Sequence, residues 1–211
     1  GVALGVYAPR PREEARRALG LDPERPAVLF ATPDLDDPRK GGALLPRIVA
    51  GVGENVQLIA AGGGPAPEGA CSLGRLSDER LALAYAAADV FVLPCVRDKD
   101  GDQDGIPVVL MEAMASGVPV ISSSLSGIPE LVQDGETGLL VPPGDPEALA
   151  ASIRAVCENA ELWRKLSAGG RRFVEESFSL RGSVRKLRSL FERAIAAEIS
   201  GVRSAFRGGP P

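Results

Sequence analysis

Two carboxylates near one predicted helix have the types and spacing that could bind a ligand. Asp104 precedes the helix, and Glu112 lies within it, about 9 Å from the helix start at the usual rise per residue. The peptide N–H groups of Gly105 and Ile106 lie at its predicted amino end, where phosphate binds readily. A nucleoside diphosphate spans a similar distance from pyrophosphate to ribose. The pattern therefore predicts a ligand that is anionic at one end and carries hydroxyl groups further along.

The predicted helix, residues 106–116, gives each of these groups a position. Pro107 suits the first turn, where its missing N–H costs nothing. The helix is expected to end at Gly117, after which a buried strand begins. Glu112 would accept hydrogen bonds from a ribose diol, and Asp104 would hold hydroxyl groups of a sugar beyond the phosphate.

Short apolar runs alternate with helical segments along the rest of the chain. The predicted strands are residues 27–31, 56–61, 90–93, 118–122 and 138–141, with 71–73 as a short edge strand. The predicted helices are 12–19, a helix ending near 52, 77–87, 106–116, a short one near 129, 145–158 and a helical remainder to about 200.

This alternation predicts an α/β fold with a doubly wound, Rossmann-like parallel sheet. Such sheets bind ligands at the carboxyl ends of their strands. The loops after Ala31, Ala61, Leu93 and Ser122 all emerge at that edge. The two acids and the glycine-rich turn at 62–64 should therefore lie close together.

The composition excludes several classes of function. The 211 residues carry a net charge of −4 and no basic stripe, so nucleic acid is not an expected partner. The absence of histidine excludes a Ser-His pair and a His metal site. The three cysteines, Cys71, Cys95 and Cys157, have no metal-ligand spacing and are expected to be reduced in a cytoplasmic protein.

The acidic stretch 98–104 has some of the spacing of a calcium loop. A loop begun at Asp100 would place Met111 at position 12, where calcium requires a glutamate. Pro107 also falls inside that loop. We therefore expect neither a metal nor another cofactor.

Several spaced motifs resemble the family 4 glycosyltransferases. Their signature is a glutamate, seven residues, a second glutamate and then Ala-Met-Ala. This chain has Asp104 at the first position, Glu112 at the second and Ala-Met-Ala at 113–115. Residues 87–94, 127–132 and 134–141 resemble the segments around the signature, so the resemblance covers roughly residues 26–180.

The resemblance implies the carboxyl-terminal, donor-binding half of a retaining GT-B glycosyltransferase that needs no metal. Lys40, within a Lys-Gly pair, would neutralise the departing diphosphate, where charge builds on the β-phosphate. Glu112 would hold the ribose and Asp104 the sugar. Further donor contacts are expected at Gly105, Ile106, Pro107, Gly63, Gly64, Cys71 and Leu73.

One departure from the family pattern keeps a second hypothesis open. The family usually carries an arginine six residues before the lysine, and this chain has Asp34 there. A non-catalytic module that binds a nucleotide sugar, or a scaffold of the same fold, is therefore the alternative to a glycosyltransferase.

The resemblance also predicts the organisation of the chain. Residues 1–25 would be an interdomain linker and lead-in helix, 26–178 the donor-binding domain, 179–200 a C-terminal helix, and 201–211 a disordered tail. An amino-terminal domain that binds the acceptor would be missing, so we expect this chain alone to be inactive or weakly active. Peripheral membrane association through that domain stays open.

Overall fold

The computed structural model describes residues 1–53, 55–103 and 105–207, with side chains described up to residue 195. Within these residues one six-stranded sheet has the order β3-β2-β1-β4-β5-β6, and every neighbouring pair is parallel. The strands are β1 Ala27–Asp34, β2 Gln57–Gly63, β3 Cys71–Gly74, β4 Val90–Leu93, β5 Val120–Ser123 and β6 Leu139–Val141. This is the strand order of the dinucleotide-binding folds, and the predicted doubly wound sheet is confirmed.

Helices connect the strands and cover both faces of the sheet. They are α1 Arg12–Leu19, α2 Leu45–Val52, α3 Asp78–Ala87, α4 Val108–Ala115, α5 Ile128–Leu131, α6 Pro146–Glu158, α7 Ala160–Ser177 and α8 Leu180–Arg207. Ser77 caps α3 by accepting a hydrogen bond from the N–H of Arg80, and Asp145 caps α6 in the same way through Ala148. These two helix starts follow directly from the local sequence.

Several element boundaries differ from the prediction, and the largest consequences are at α4 and α8. α4 begins at Val108 rather than Ile106, because Pro107 has an extended backbone with ψ 127° and serves as the N-cap. Pro107 therefore precedes the first helical turn. α8 ends at Arg207, beyond the predicted end at Ser200, and residues 208–211 of the predicted tail lie outside the described residues.

The core is packed between the central strands and an alanine-rich helix. Every residue of β4 is buried, and α3 buries small side chains that let its backbone approach the sheet closely. Tyr85 is the large side chain of α3 that is fully buried. Its ring packs edge-on against Tyr7 and Phe91, with ring centroids 5.9 and 5.4 Å apart. This packing fixes the position of the Tyr85 ring beneath α4.

A charged network stabilises the amino edge of the sheet. Asp89, just before β4, forms ion pairs with Arg12 and Arg16 of α1 and accepts a hydrogen bond from the Ala27 N–H at 2.7 Å. The Trp163 indole of α7 donates to the Asp89 carbonyl at 2.8 Å. One aspartate therefore connects α1, β1, β4 and α7.

The last helix differs from the others in its exposure. One face of α8 exposes large apolar side chains, namely Leu180, Val184, Leu187, Leu190, Phe191 and Ile195. In the part of the chain that the structure describes, no helix has both the length and the apolarity needed to cross a membrane.

Candidate functional site

A cleft of about 390 Å³ opens at the carboxyl edge of the sheet, where the sequence places the ligand. We call it the edge cleft. Its walls come from the ends of β1 and β2, the β3–α3 connection, the first turns of α3 and α4, and the lead-in segment. The lining residues are Tyr7, Ala31, Thr32, Pro33, Ala61, Gly62, Arg75, Leu76, Asp78, Leu81, Val108, Val109 and Glu112.

Glu112 is the predicted site residue that lies in this cleft. It is the fifth residue of α4, so it stands about 6 Å along the helix from Val108. The Tyr85 hydroxyl lies 3.0 Å from Glu112 Oε2 and 3.2 Å from the Val109 carbonyl oxygen. The Glu112 side chain is therefore held at one carboxylate oxygen, and the residue borders the edge cleft.

The surroundings of Glu112 disfavour its charged form. Burial raises the pKa of the Glu112 carboxyl, the hydrogen bonds from Tyr85 and Tyr7 lower it in part, and the negative charge of Asp78 raises it further. The pKa is raised overall, because the two hydrogen bonds do not offset burial. A carboxylate kept in a cleft at this cost is typical of a binding or catalytic site.

Tyr7 connects the lead-in segment to this carboxylate. Burial raises the pKa of the Tyr7 hydroxyl well above its ordinary value, and the charges of Glu112 and Asp78 raise it further. Tyr7 therefore stays a neutral hydrogen-bond donor beside two acids at ordinary pH.

The segment before α4 is described only in part. Asp104, predicted to hold the sugar, lies outside the described residues. Gly105 and Ile106 precede the helix instead of forming its first turn, and Ile106 packs against Gly127, where a Cβ would lie 2.9 Å from Ile106 Cγ1. Gly105, Ile106 and Pro107 do not line the edge cleft, and their contacts with a donor stay predictions.

Lys40 lies at the same edge of the sheet but does not line the edge cleft. It ends a short 3₁₀ turn after β1, and the loop is fixed to the end of β4. The Val96 N–H donates to the Arg39 carbonyl at 2.9 Å. Gly41, with φ 71°, lies so close to β4 that a Cβ there would be 1.9 Å from the Pro94 carbonyl oxygen. The glycine after Lys40 is therefore required by this close approach.

The three glycines predicted to form a turn after β2 are arranged differently, because Gly62 and Gly63 are the last residues of β2 and Gly64 follows it. Gly62 lines the edge cleft, whereas Gly63 and Gly64 do not. A Cβ on Gly63 would lie 2.4 Å from the Arg75 guanidinium, and a Cβ on Gly64 would lie 3.3 Å from the carboxylate oxygens of Asp34 and Asp36. Gly63 therefore makes room for Arg75.

The two residues predicted from β3 lie beside the cleft rather than in it. Cys71 is exposed on the edge strand, and Leu73 packs against the hydrophobic core. The connection that follows β3 supplies Arg75 and Leu76 to the cleft instead. Donor binding by Cys71 and Leu73 stays a prediction.

Of the residues that line the edge cleft, only Glu112 is a predicted site residue. Arg75, Asp78 and Tyr7 are unpredicted lining residues with charged or phenolic side chains, and they come from the β3–α3 connection, α3 and the lead-in segment. Within residues 1–53, 55–103 and 105–207, no group of three or more acidic or cysteine side chains is arranged to hold a metal ion.

Comparison with known proteins identifies the family. The family model described as "Glycosyl transferases group 1" matches residues 25–159, and the chain belongs to this family. It is 31% identical to the D-inositol 3-phosphate glycosyltransferase of Mycobacterium marinum over 98% of this chain and 47% of the relative. It is 43% identical to the amylovoran biosynthesis glycosyltransferase AmsK of Erwinia amylovora over 57% of this chain and 30% of the relative. The chain thus spans about half or less of these relatives.

Solved structures share the fold. Sucrose-phosphate synthase from Thermosynechococcus elongatus aligns with a TM-score of 0.81 and 29% identity, over 93% of this chain and 52% of that structure. The HepE protein of Anabaena, solved in complex with UDP and glucose, aligns with a TM-score of 0.79 and 20% identity, over 92% of this chain and 55% of that one. The fold and family predicted from the sequence motifs are confirmed.

Proposed function

We propose that this chain is the donor-binding part of a retaining glycosyltransferase. It binds a nucleoside diphosphate sugar and takes part in transferring the sugar to an acceptor. The observation that carries the proposal is the Glu112 carboxylate, held by Tyr85 in a cleft at the carboxyl edge of a parallel sheet. Family membership and the UDP complex of HepE support it.

Glu112 is the group that recognises the ribose in this proposal. A carboxylate offers acceptors to both hydroxyls of a diol. Its Oε2 is held by Tyr85, and the edge cleft is large enough for a small ligand. The neighbouring Arg75 and Asp78 provide one donor-rich and one acceptor-rich group at the same cleft.

Lys40 acts on the leaving group in this proposal. When the bond between the anomeric carbon and the β-phosphate oxygen breaks, negative charge builds on that oxygen. Lys40 lies on a loop fixed between the ends of β1 and β4, so its ammonium group is carried by a rigid part of the sheet edge. Asp104 would orient the sugar, as the family motif implies. No metal is required by this scheme.

The acceptor is proposed to bind largely outside this chain. Two observations support this: the chain spans 52% of the sucrose-phosphate synthase structure and 55% of the HepE structure, and α8 exposes a continuous apolar face. We therefore expect donor binding from the chain alone, with slow transfer or slow donor hydrolysis. Transfer by the 211-residue chain at the rate of a full-length relative would contradict this part of the proposal.

Titration calorimetry with UDP, GDP and ADP tests the proposal. At least one nucleotide should bind, and chelation of divalent cations should leave its affinity unchanged. Glu112→Ala should weaken that binding, while Arg47→Ala should not, because Arg47 forms an exposed ion pair and does not line the edge cleft. Failure of all three nucleotides to bind a folded chain would contradict donor binding.

A non-catalytic module is the second candidate, and Asp34 favours it. Asp34 stands where the family carries an arginine, and Asp36 lies beside the same glycine, Gly64. Two acids at this position reduce the positive charge available to a leaving diphosphate. Nucleotide binding without donor turnover, also in the presence of the amino-terminal half of a full-length relative, would support this candidate.

A further inference from the structure

No motif assigns Tyr85 to the site, yet its side chain contacts Glu112, the residue proposed to bind the ribose. Its hydroxyl lies 3.0 Å from Glu112 Oε2, although the two residues are 27 positions apart in the chain. The Tyr85 side chain is fully buried, and its ring is fixed between Tyr7 and Phe91. We propose that Tyr85 is a positioning residue, which holds Glu112 in the orientation that recognises a ribose diol. This inference rests on the proposed function.

The rigidity of Tyr85 is what makes it suitable for positioning. A glutamate side chain has three rotatable bonds, and ordering them costs rotamer entropy when a ligand binds. A hydrogen bond from the hydroxyl of a fully buried tyrosine meets part of that cost before binding, and the carboxylate keeps further acceptor capacity for the ligand. The phenol is neutral, because burial and the charge of Glu112 raise its pKa well above the ordinary value. It therefore keeps its proton and remains a hydrogen-bond donor at every ordinary pH.

The Tyr85 hydroxyl has one proton and two acceptors within reach. Glu112 Oε2 lies at 3.0 Å and the Val109 carbonyl oxygen at 3.2 Å. The ionised carboxylate is the stronger acceptor, because charge-assisted hydrogen bonds are the stronger class. When Glu112 is protonated, the same proton can turn to Val109. The hydroxyl thus favours the ionised, diol-binding form of Glu112.

Loss of this hydroxyl should therefore change affinity and its pH dependence together. The groups that face Glu112 are Tyr85 and Asp78 of α3 and Tyr7 of the lead-in segment, while Arg75 lines the same cleft. The Tyr85 hydrogen bond lowers the pKa of Glu112. Without this hydrogen bond, the pKa of Glu112 is higher. As the pH falls, the variant should therefore lose nucleotide binding at a higher pH than the wild type does.

Tyr85→Phe is the direct test, because phenylalanine keeps the ring that packs against Tyr7 and Phe91. We expect the dissociation constant for the best-bound nucleoside diphosphate to rise about tenfold at neutral pH. We also expect the lower pH limit of binding to move upward, relative to wild type. Tyr7→Phe, which removes the other phenol, is the matched comparison and should change the limit less. Wild-type affinity and an unchanged pH profile in folded Tyr85→Phe would overturn the inference.

A second measurement does not depend on the folding of Tyr85→Phe. The chain has two tyrosines, so the Tyr7→Phe variant leaves a single tyrosine resonance when the Cζ carbon is labelled with ¹³C. That resonance should titrate with Glu112, and the titration should disappear in Tyr7→Phe combined with Glu112→Gln. If the Tyr85 resonance has the same pH dependence in Tyr7→Phe and in the double variant, the contact between Tyr85 and Glu112 would be contradicted.

These results also separate this inference from the proposed function. If no nucleotide binds to the wild-type chain, the proposed function fails. If the wild type binds and Glu112→Ala does not, while Tyr85→Phe binds normally with an unchanged pH profile, only the positioning role fails.

Discussion

Asp89 and Glu112 are partly buried carboxylates at opposite edges of the sheet, and their surroundings differ. Asp89, at the amino edge, is paired with Arg12 and Arg16 and accepts the Ala27 N–H. Glu112, at the carboxyl edge, has tyrosine hydroxyls and the like charge of Asp78 beside it. The surroundings of Asp89 stabilise its charge, whereas those of Glu112 disfavour it. The difference favours a structural role for Asp89 and supports the proposed ligand-binding role of Glu112.

The wider lesson concerns how a buried acid is assigned to structure or function. Burial is common to both residues and decides nothing by itself. The partners decide, because a carboxylate with two guanidinium partners has its charge matched within the protein. A carboxylate with only neutral donors and another acid nearby has hydrogen-bonding capacity left for a bound molecule.

Asp89→Asn should have the largest effect on stability. It leaves the Arg16 guanidinium, whose side chain is 7% exposed, without a charged partner. Breaking such a buried pair costs about 3–5 kcal/mol of the free energy of unfolding. Urea denaturation would measure the loss.

The control for this prediction is Arg47→Ala, which removes an ion pair with Glu147 that is largely exposed at both ends. It should change stability little. If the two variants lose similar stability, the ion pairs of Asp89 do not stabilise the fold as the comparison with Glu112 requires. Nucleotide affinity of folded Asp89→Asn should stay near the wild-type value.

Glu112→Gln should shift stability in the opposite direction. Glutamine keeps the shape and can still accept the Tyr85 hydrogen bond, but it has no charge to desolvate. Because binding sites are kept at a cost to stability, the variant should gain about 0.5–2 kcal/mol at neutral pH. Thermal denaturation without ligand measures this gain. A clear loss of stability would mean that Glu112, like Asp89, is a structural acid.

The pH dependence of stability should show the smallest effect. Since burial raises the pKa of Glu112 in the folded chain, the folded state holds this proton more tightly than the unfolded state. The contribution to stability is complete below the ordinary glutamate pKa and is lost as the pH rises through the raised value. Glu112→Gln lacks this contribution.

Denaturation of both proteins at a series of pH values from about 4 to about 8 tests this sign. The wild type should become progressively less stable, relative to Glu112→Gln, as the pH rises. A constant difference across the series would show that Glu112 has an ordinary pKa.

The sequence predicted the sheet well because its signals are local. Buried runs such as Val90–Leu93 and caps such as Ser77 and Asp145 are read within a few residues. The start of α4 was predicted two residues early, since Pro107 is compatible with both the first turn and the cap. Its extended ψ decides between them, and that depends on the surrounding loop.

The site was predicted less completely because it is assembled over long distances in the chain. Glu112 was found from a local motif, but its partner Tyr85 lies 27 positions earlier in an alanine-rich helix. A single aromatic residue in that helix, just before a buried strand, was the available signal. Arg75 was missed for a similar reason, since only the structure shows its guanidinium over Gly63.

The central claim is that Glu112 recognises a ribose diol. The most direct test compares binding of UDP and 2′,3′-dideoxy-UDP, or the matched pair for whichever base binds best, to the wild type and to Glu112→Gln. The wild type should prefer the ribonucleotide by about tenfold or more, and Glu112→Gln should lose most of that preference. An equal preference in both proteins would contradict the account.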